Sequence, residues 1–189
     1  MSPQDYREFV LGLEAKPAEL KISAPELKAI LSFTVLSSSL VDYLKKTIIY
    51  GTEVDLDRVT KITTEVYTAT CDLLNYYESH RDARMLVGAE NLQTADINIR
   101  LLHAALGMFG EAGEFAEVVL DGWKTGDLDQ EKAIKELGDC CWYPEVAYDE
   151  LGVTSDEVRE LNKLKLQHRY KTGRFSTEQA VDRVDSDPS

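Results

Sequence analysis

Apolar residues recur at helical spacing along almost the whole of this chain, and no stretch alternates as a half-buried strand would. A chain so patterned builds its core by packing helix on helix. The start signals agree with the period. Ser2-Pro3 supplies a cap and then a proline in the first turn, ahead of DYREFVLGL. Ser23-Ala-Pro-Glu26 and Thr154-Ser-Asp-Glu157 have the capping-box spacing, in which cap and third-position side chains satisfy each other's free N–H groups. Asp127-Leu-Asp-Gln130 is a weaker helix start of the same kind. Glycine or clustered polar residues at 51–57, 87–93, 122–129 and 171–176 separate the runs. The expected helices are 3–13, 24–49, 56–81, 94–121, 128–149 and 155–169, an all-α fold. Residues 1–176 read as a single all-α domain and the polar residues 177–189 as a disordered tail.

Composition narrows the partners. The chain has 189 residues, enough for a sizeable core. Its 21 Lys+Arg against 34 Asp+Glu leave a net charge of −13, a field that repels nucleic-acid polymers and anionic membranes alike. No apolar run approaches spanning length, and MSPQDYREF lacks the basic-then-apolar pattern of a signal peptide. Three cysteines, with Cys140 and Cys141 adjacent, make neither a disulfide framework nor a zinc spacing. The expectation is a soluble, cytoplasmic protein.

Segments 24–81 and 99–150 share a plan of long helix, polar loop, long helix. Laying LKAILSFTVLSSSLVDYL over LHAALGMFGEAGEFAEVV matches Leu27, Ala29 and Leu31 to Leu102, Ala104 and Leu106, and Asp42 to Glu117. In the same register Leu36 and Ser39 fall where Glu111 and Glu114 stand. Two readings stay open: a degenerate internal duplication, or chance similarity of two amphipathic helices. A duplicated helical hairpin would pack as a four-helix bundle with pseudo-twofold symmetry.

The second segment carries the chemistry. Glu111, Glu114 and Glu117 recur every third residue among Ala, Val and Phe, although like charges at that spacing repel by a few tenths of a kcal/mol. The next helix carries KELGDCCWY, with Glu136 and Asp139 again three apart. Two acidic pairs facing a shared groove would make a dense, partly desolvated cluster, which is costly unless a divalent cation neutralises it. Oxygen-only ligands suit a hard ion, Mg²⁺ or Mn²⁺. Glu111, Glu114, Glu136 and Asp139 are therefore the candidate metal ligands and catalytic residues. Gly110, Ala112, Gly113 and Gly138 lie beside them, and a mid-helix glycine, costing up to about 1 kcal/mol, calls for a packing or binding reason. Most such Glu pairs elsewhere simply face solvent. Trp142 and Tyr143 follow the second pair, and either fits base stacking or the core.

At these residues the chain closely resembles the MazG-like branch of the all-α nucleoside triphosphate pyrophosphohydrolases. LLHAALGMFGEAGEFAEVV, KELGDCCWY and ELNKLKLQHRYKTGRFS carry the resemblance, over about residues 98–184. The family pattern is Glu-x-x-Glu, then Glu-x-x-Asp, then Asn-x-x-Lys-x-x-x-Arg-Tyr. It falls on Glu111 and Glu114, on Glu136 and Asp139, and on Asn162, Lys165, Arg169 and Tyr170. DYREFVLGLEAKP looks like the opening helix of phage-type relatives. The resemblance implies a four-helix-bundle-like fold and Mg²⁺-dependent cleavage of an NTP or dNTP to its monophosphate and pyrophosphate, for pool control or house-cleaning. It also implies a homodimer or higher homo-oligomer, in the cytoplasm (the host's, if phage-encoded). Lys165 and Arg169, four apart on one helical face, would neutralise phosphates; as surface charges they would instead meet a helix C-terminal dipole.

The departures are specific. Where relatives carry a Lys-Lys pair after the first acidic face, this chain has Leu120 and Asp121, with Lys124 nearby. The first segment supplies Lys45 and Lys46 in VDYLKKTIIYG at the equivalent place, so one half keeps the acids and the other the basic pair. Pro144, a turn beyond Asp139, is expected to kink its helix. Competing readings are a catalytically idle nucleotide binder, a hydrolase of another nucleotide such as ppGpp, and an acidic helical interaction protein. A di-iron bundle would need Glu-x-x-His, but Arg100 precedes His103 and Lys165 precedes His168 by three.

Overall fold

The computed structural model describes residues 2–15, 22–79 and 97–182, and every regular element among them is an α-helix. In order these are α1 (Pro3–Leu13), α2 (Ala24–Tyr50), α3 (Leu56–Ser79), α4 (Ile99–Thr125), α5 (Gln130–Leu151), α6 (Ser155–Arg169) and α7 (Thr177–Asp182). They fall into two compact units. The first takes α1, α4, α5 and α6 as far as Leu164; the second takes α2, α3 and the stretch from Lys165 through α7.

Capping chemistry sets the helix starts. Ser2 and Asp5 form a reciprocal box at α1, and Thr154 and Glu157 do the same at α6, where the Thr154 N–H meets the Glu157 carboxylate at 2.7 Å. The Ser23 hydroxyl accepts the Glu26 N–H at α2, and Asp129, not Asp127, accepts from Lys132 at α5. Asn98 caps α4, so that helix begins at Ile99; the expected start at 94 lies outside the described residues, as do positions 80 and 81, the polar stretch 87–93 and residues 183–189. Helix α4 also runs past the expected end at 121. Gly122 stays helical, and Gly126, at φ 77°, takes the left-handed cap that favours glycine.

Pro144 lies inside α5. Two further expectations change. Part of the expected tail is ordered: Thr177–Asp182 is helical and Ala180 is buried. And α2 is, by length and composition only, long and apolar enough to cross a membrane. The estimate from runs of apolar residues missed this because serines and threonines interrupt the runs while lowering the mean hydropathy only slightly. Those hydroxyls also hide their polarity: Thr34, Ser38 and Ser39 each donate to the carbonyl four residues back at 2.8–2.9 Å.

In the first unit α4 and α5 pair as an antiparallel hairpin, and α1 packs on α5. Ala104 and Val118 of α4, Ala133 and Val146 of α5 and Val10 of α1 are buried. One guanidinium ties the far end of this unit together. Arg100 bonds Glu14 at 2.7 Å, Asp149 at 2.8 Å and Glu150 at 2.9 Å, while Arg7 bonds Asp149 at 2.9 Å and the Val153 carbonyl at 3.0 Å. Hydrogen bonds from Arg100 first, then Arg7, hold the Asp149 carboxyl below its usual range. The Glu14 side chain is only 1% exposed, so it depends on Arg100 for its charge balance.

In the second unit α2 pairs with α3. Leu27 and Ala69 are buried, and the Ser23 and Tyr76 hydroxyls share a hydrogen bond. Arg58 lies over the Tyr43 ring at 4.8 Å, and the Tyr43 hydroxyl accepts the Asp55 N–H. Phe175 meets Tyr50 at 5.1 Å and Tyr170 at 5.9 Å.

Candidate metal centre

The α4–α5 hairpin brings the acids together from both helices. One carboxylate oxygen each from Glu111, Glu114 and Glu136 lie within 4.8 Å of one another. Asp139, a turn along α5 from Glu136, is close enough to repel Glu111. Glu136 is buried, at 8% exposure, whereas Glu111 is half-buried and Glu114 and Asp139 are exposed. No hydrogen bond or ion pair reaches Glu136 among the described residues, and no basic side chain there pairs with any of the four. Burial, then repulsion from Glu114, pushes the Glu111 carboxyl up; a hydrogen bond with Tyr143 acts the other way.

The third acid of the row is treated differently. Glu117 has Lys132 across the hairpin at 3.9 Å. The lysine therefore sits at the turn end of the groove, and no basic side chain among the described residues pairs with the carboxylates deeper in the hairpin. Oxygen donors gathered this closely, without a paired cation among the described residues, fit a hard divalent ion: its charge would offset their mutual repulsion.

The glycines around the acids divide into two kinds. A Cβ at Gly110, Gly113 or Gly138 would meet nothing within 4 Å, so these positions leave open space beside the carboxylates. Gly107 is the opposite case: a Cβ there would lie 2.1–2.4 Å from three atoms of the Tyr143 ring. That ring meets Trp142 at 4.8 Å and His103 at 5.4 Å, both edge-on, and Trp142 also meets His103 at 5.6 Å. Trp142, the expected base-stacking residue, thus belongs to an aromatic cluster beside the acids. Sequence reasoning missed Gly107 and His103. It also missed Tyr6 of α1, whose hydroxyl is pushed up by burial, then by Cys141, Glu145 and Asp139. Neither the small residue at 107 nor the aromatic in α1 carries a local signal, because each acquires its neighbour only through helix pairing.

The remaining expected residues are placed as follows. Lys124 is exposed and 3.6 Å from Asp121 of its own helix. Asn162 and Lys165 are exposed on α6. Arg169 is half-buried, with its guanidinium 5.9 Å from the Tyr170 ring centre. Lys45 and Lys46 both reach Asp42, at 2.7 and 3.3 Å. Lys45, Lys46, Lys165, Arg169 and Tyr170 all belong to the second unit. Cys71, Cys140 and Cys141 are free thiols, and burial followed by the nearby Glu111 pushes Cys140 up.

No protein-family model, curated protein or solved structure matches this chain. Its all-helical architecture and the clustered carboxylates stand on the geometry alone.

Proposed function

We propose that this chain is a Mg²⁺-dependent nucleoside triphosphate pyrophosphohydrolase that cleaves an NTP or dNTP to its monophosphate and pyrophosphate. The observation that carries the reading is the convergence across the hairpin of one carboxylate oxygen each from Glu111, Glu114 and Glu136, all within 4.8 Å of one another and with no basic side chain paired to them among the described residues. Like charges gathered so closely repel, and a cation between them removes the repulsion. Glu111, Glu114, Glu136 and Asp139 would hold Mg²⁺, or Mn²⁺ in its place. When bound, the ion supplies charge neutralisation for the phosphate chain and a more acidic water for attack on phosphorus.

The protein's own groups have separate tasks. The open glycine positions beside the acids leave room for a bulky anionic chain to approach. Trp142, packed edge-on against Tyr143, is the ring proposed to meet a base. By the resemblance, Asn162, Lys165, Arg169 and Tyr170 serve the phosphates, with Lys45, Lys46 and Lys124 as supplementary cations. Their charge offsets what a polyphosphate adds to a protein already at −13.

The reading extends to assembly and place. Trp123 is 81% exposed and Ile134 70%, and Leu137 of the same hairpin is half-exposed, apolar surface that favours a homodimer. The cytoplasm, rich in nucleotides and reducing toward three free thiols, is the proposed compartment. The test is pyrophosphate release from a panel of NTPs and dNTPs with Mg²⁺, followed in Lys165→Ala and Arg169→Ala. Turnover should fall in both while Mg²⁺ still raises the melting temperature. A panel with no pyrophosphate released from any nucleotide would sink the proposal.

A further inference from the structure

Gly107 and Tyr143 meet in a way that neither local structure nor core packing requires. Gly107 sits in the interior of α4, where glycine is destabilising by about 1 kcal/mol relative to alanine. Its φ is not in the left-handed region, so the backbone does not need glycine there. What needs it is the Tyr143 ring, three of whose carbons occupy the place of the missing Cβ. The ring is then held on two more sides, by Trp142 and His103. Gly107 and Glu111 are one helical turn apart on α4, and Asp139 and Tyr143 are one turn apart on α5. The phenol is thereby brought beside the row of acids, near enough to Glu111 for each to shift the other's proton affinity.

We propose that Tyr143 is a positioning residue for the metal centre: seated on Gly107, it donates a hydrogen bond to Glu111 and fixes that carboxylate toward Glu114 and Glu136. The inference rests on the metal reading of the acids given above. Its physical logic is that of a ligand oriented by an outer partner. A glutamate carries three rotatable bonds, and three like charges within 4.8 Å push its carboxylate to swing outward into water. A hydroxyl that cannot move holds one of its oxygens and leaves the other for the cation. Outer partners of this kind are worth about 10–100-fold in metal affinity. The aromatic cluster beneath has the same purpose, since a phenol positions a carboxylate only as well as its own ring is held.

The experiment measures Mn²⁺ affinity directly, by the electron paramagnetic resonance signal of the free ion, on the full chain without nucleotide. Tyr143→Phe keeps the ring and its packing and removes only the hydroxyl. Its dissociation constant for Mn²⁺ should rise about tenfold, while the melting temperature in EDTA stays within a degree or two of the unmodified protein. Gly107→Ala, which favours the helix but displaces the ring, should weaken Mn²⁺ by a similar factor. The double variant should be no weaker than Gly107→Ala alone, because both changes remove one interaction. Tyr143→Phe binding Mn²⁺ with the unmodified constant overturns the positioning role and leaves the metal centre standing. An unmodified protein that binds no Mn²⁺ at all overturns the metal centre, and the positioning role with it.

Discussion

The α2–α3 and α4–α5 hairpins have the same plan and dispose of their polar groups in opposite ways. In α2–α3 the hydroxyls are spent locally. Thr34, Ser38 and Ser39 on α2, and Thr64, Thr68 and Thr70 on α3, all donate to carbonyls one turn back in their own helix. Lys45 and Lys46 likewise turn to Asp42 four or fewer residues away. Thr47 is the exception, with a buried hydroxyl that has no partner among the described residues. In α4–α5 the polar groups that face inward are carboxylates, which cannot donate to a carbonyl and repel one another. One hairpin is electrostatically finished on its own and the other is not. That contrast, more than the presence of acids as such, is what favours α4–α5 as the candidate site.

The sharpest way to break the comparison is to finish the unfinished hairpin artificially. Glu136→Gln keeps the shape and removes the buried charge. It should cut pyrophosphate release by at least about 100-fold, the scale at which single charge-stabilising groups act in catalysis. In EDTA the same variant should melt higher than the unmodified protein, by about 2–4 °C for each kcal/mol of repulsion relieved. Undiminished turnover would mean that the difference between the hairpins has no bearing on activity.

Next in size is the ionic clamp at the other end of the first unit. Arg100→Met should cost about 3 kcal/mol in urea unfolding, because Glu14 is left charged, buried and alone. A loss below about 0.5 kcal/mol would show that the clamp is ornamental.

A third test separates the two ends by pH. Glu111 is raised by burial and then by Glu114, and Glu145 is raised by burial, so folding makes both bind protons more tightly. Their contribution is fully present below the unfolded carboxyl pKa, about 4, and is lost as pH rises through their folded values. Asp149 and Glu150 are lowered, chiefly by hydrogen bonds with Arg100 for Asp149 and with Asn98, then Arg100, for Glu150. Their contribution is present above the ordinary pKa and lost as pH falls below it. In EDTA the melting temperature should therefore rise on acidification from neutral pH and turn down once the clamp carboxylates take up protons. Mg²⁺ should flatten the rise, since it competes with the proton at Glu111 but not at Glu145. A rise of the same size with and without Mg²⁺ would detach the cluster from the metal.

The smallest effect belongs to the finished hairpin. Ser39→Ala, at the position that the overlay of the two segments sets against Glu114, should change stability by no more than about 0.5 kcal/mol and leave Mg²⁺ stabilisation untouched. A larger loss would show that Ser39 serves something besides its own helix.

Much of this was legible in the sequence because it is local. Ser2, Ser23 and Thr154 each start a helix within a few residues of where their side chains act. The acidic pairs are visible because an i, i+3 spacing fixes a face without knowledge of the partner helix. What was hidden depends on a second element. Gly122 and Gly126 are both reasonable helix ends, and only the left-handed backbone at Gly126 decides between them. Asn98 is a good cap that the spacing did not single out. Arg100 looks like a surface arginine until Glu14, Asp149 and Glu150 converge on it. Gly107 reads as one more small residue until Tyr143 is laid across it.

The Arg100 clamp also has a consequence for the order in which the molecule is made. Its bond to Glu14 spans 86 positions, and the whole α2–α3 hairpin lies inside that span. Closing so long a loop costs about 4 kcal/mol of chain entropy, to be met when α1 docks. Helix α1 is made well before α5, and its seat there is complete only after Leu151 has been added. At 5–20 residues per second that is a wait on the order of ten seconds. Throughout it Val10, wholly buried in the finished protein, stays in water. The α2–α3 hairpin has no such wait, because its two helices are neighbours in the chain. Folding is thus nested: the inner hairpin can close while the outer unit is still being written, and α1 waits for a partner made long after it.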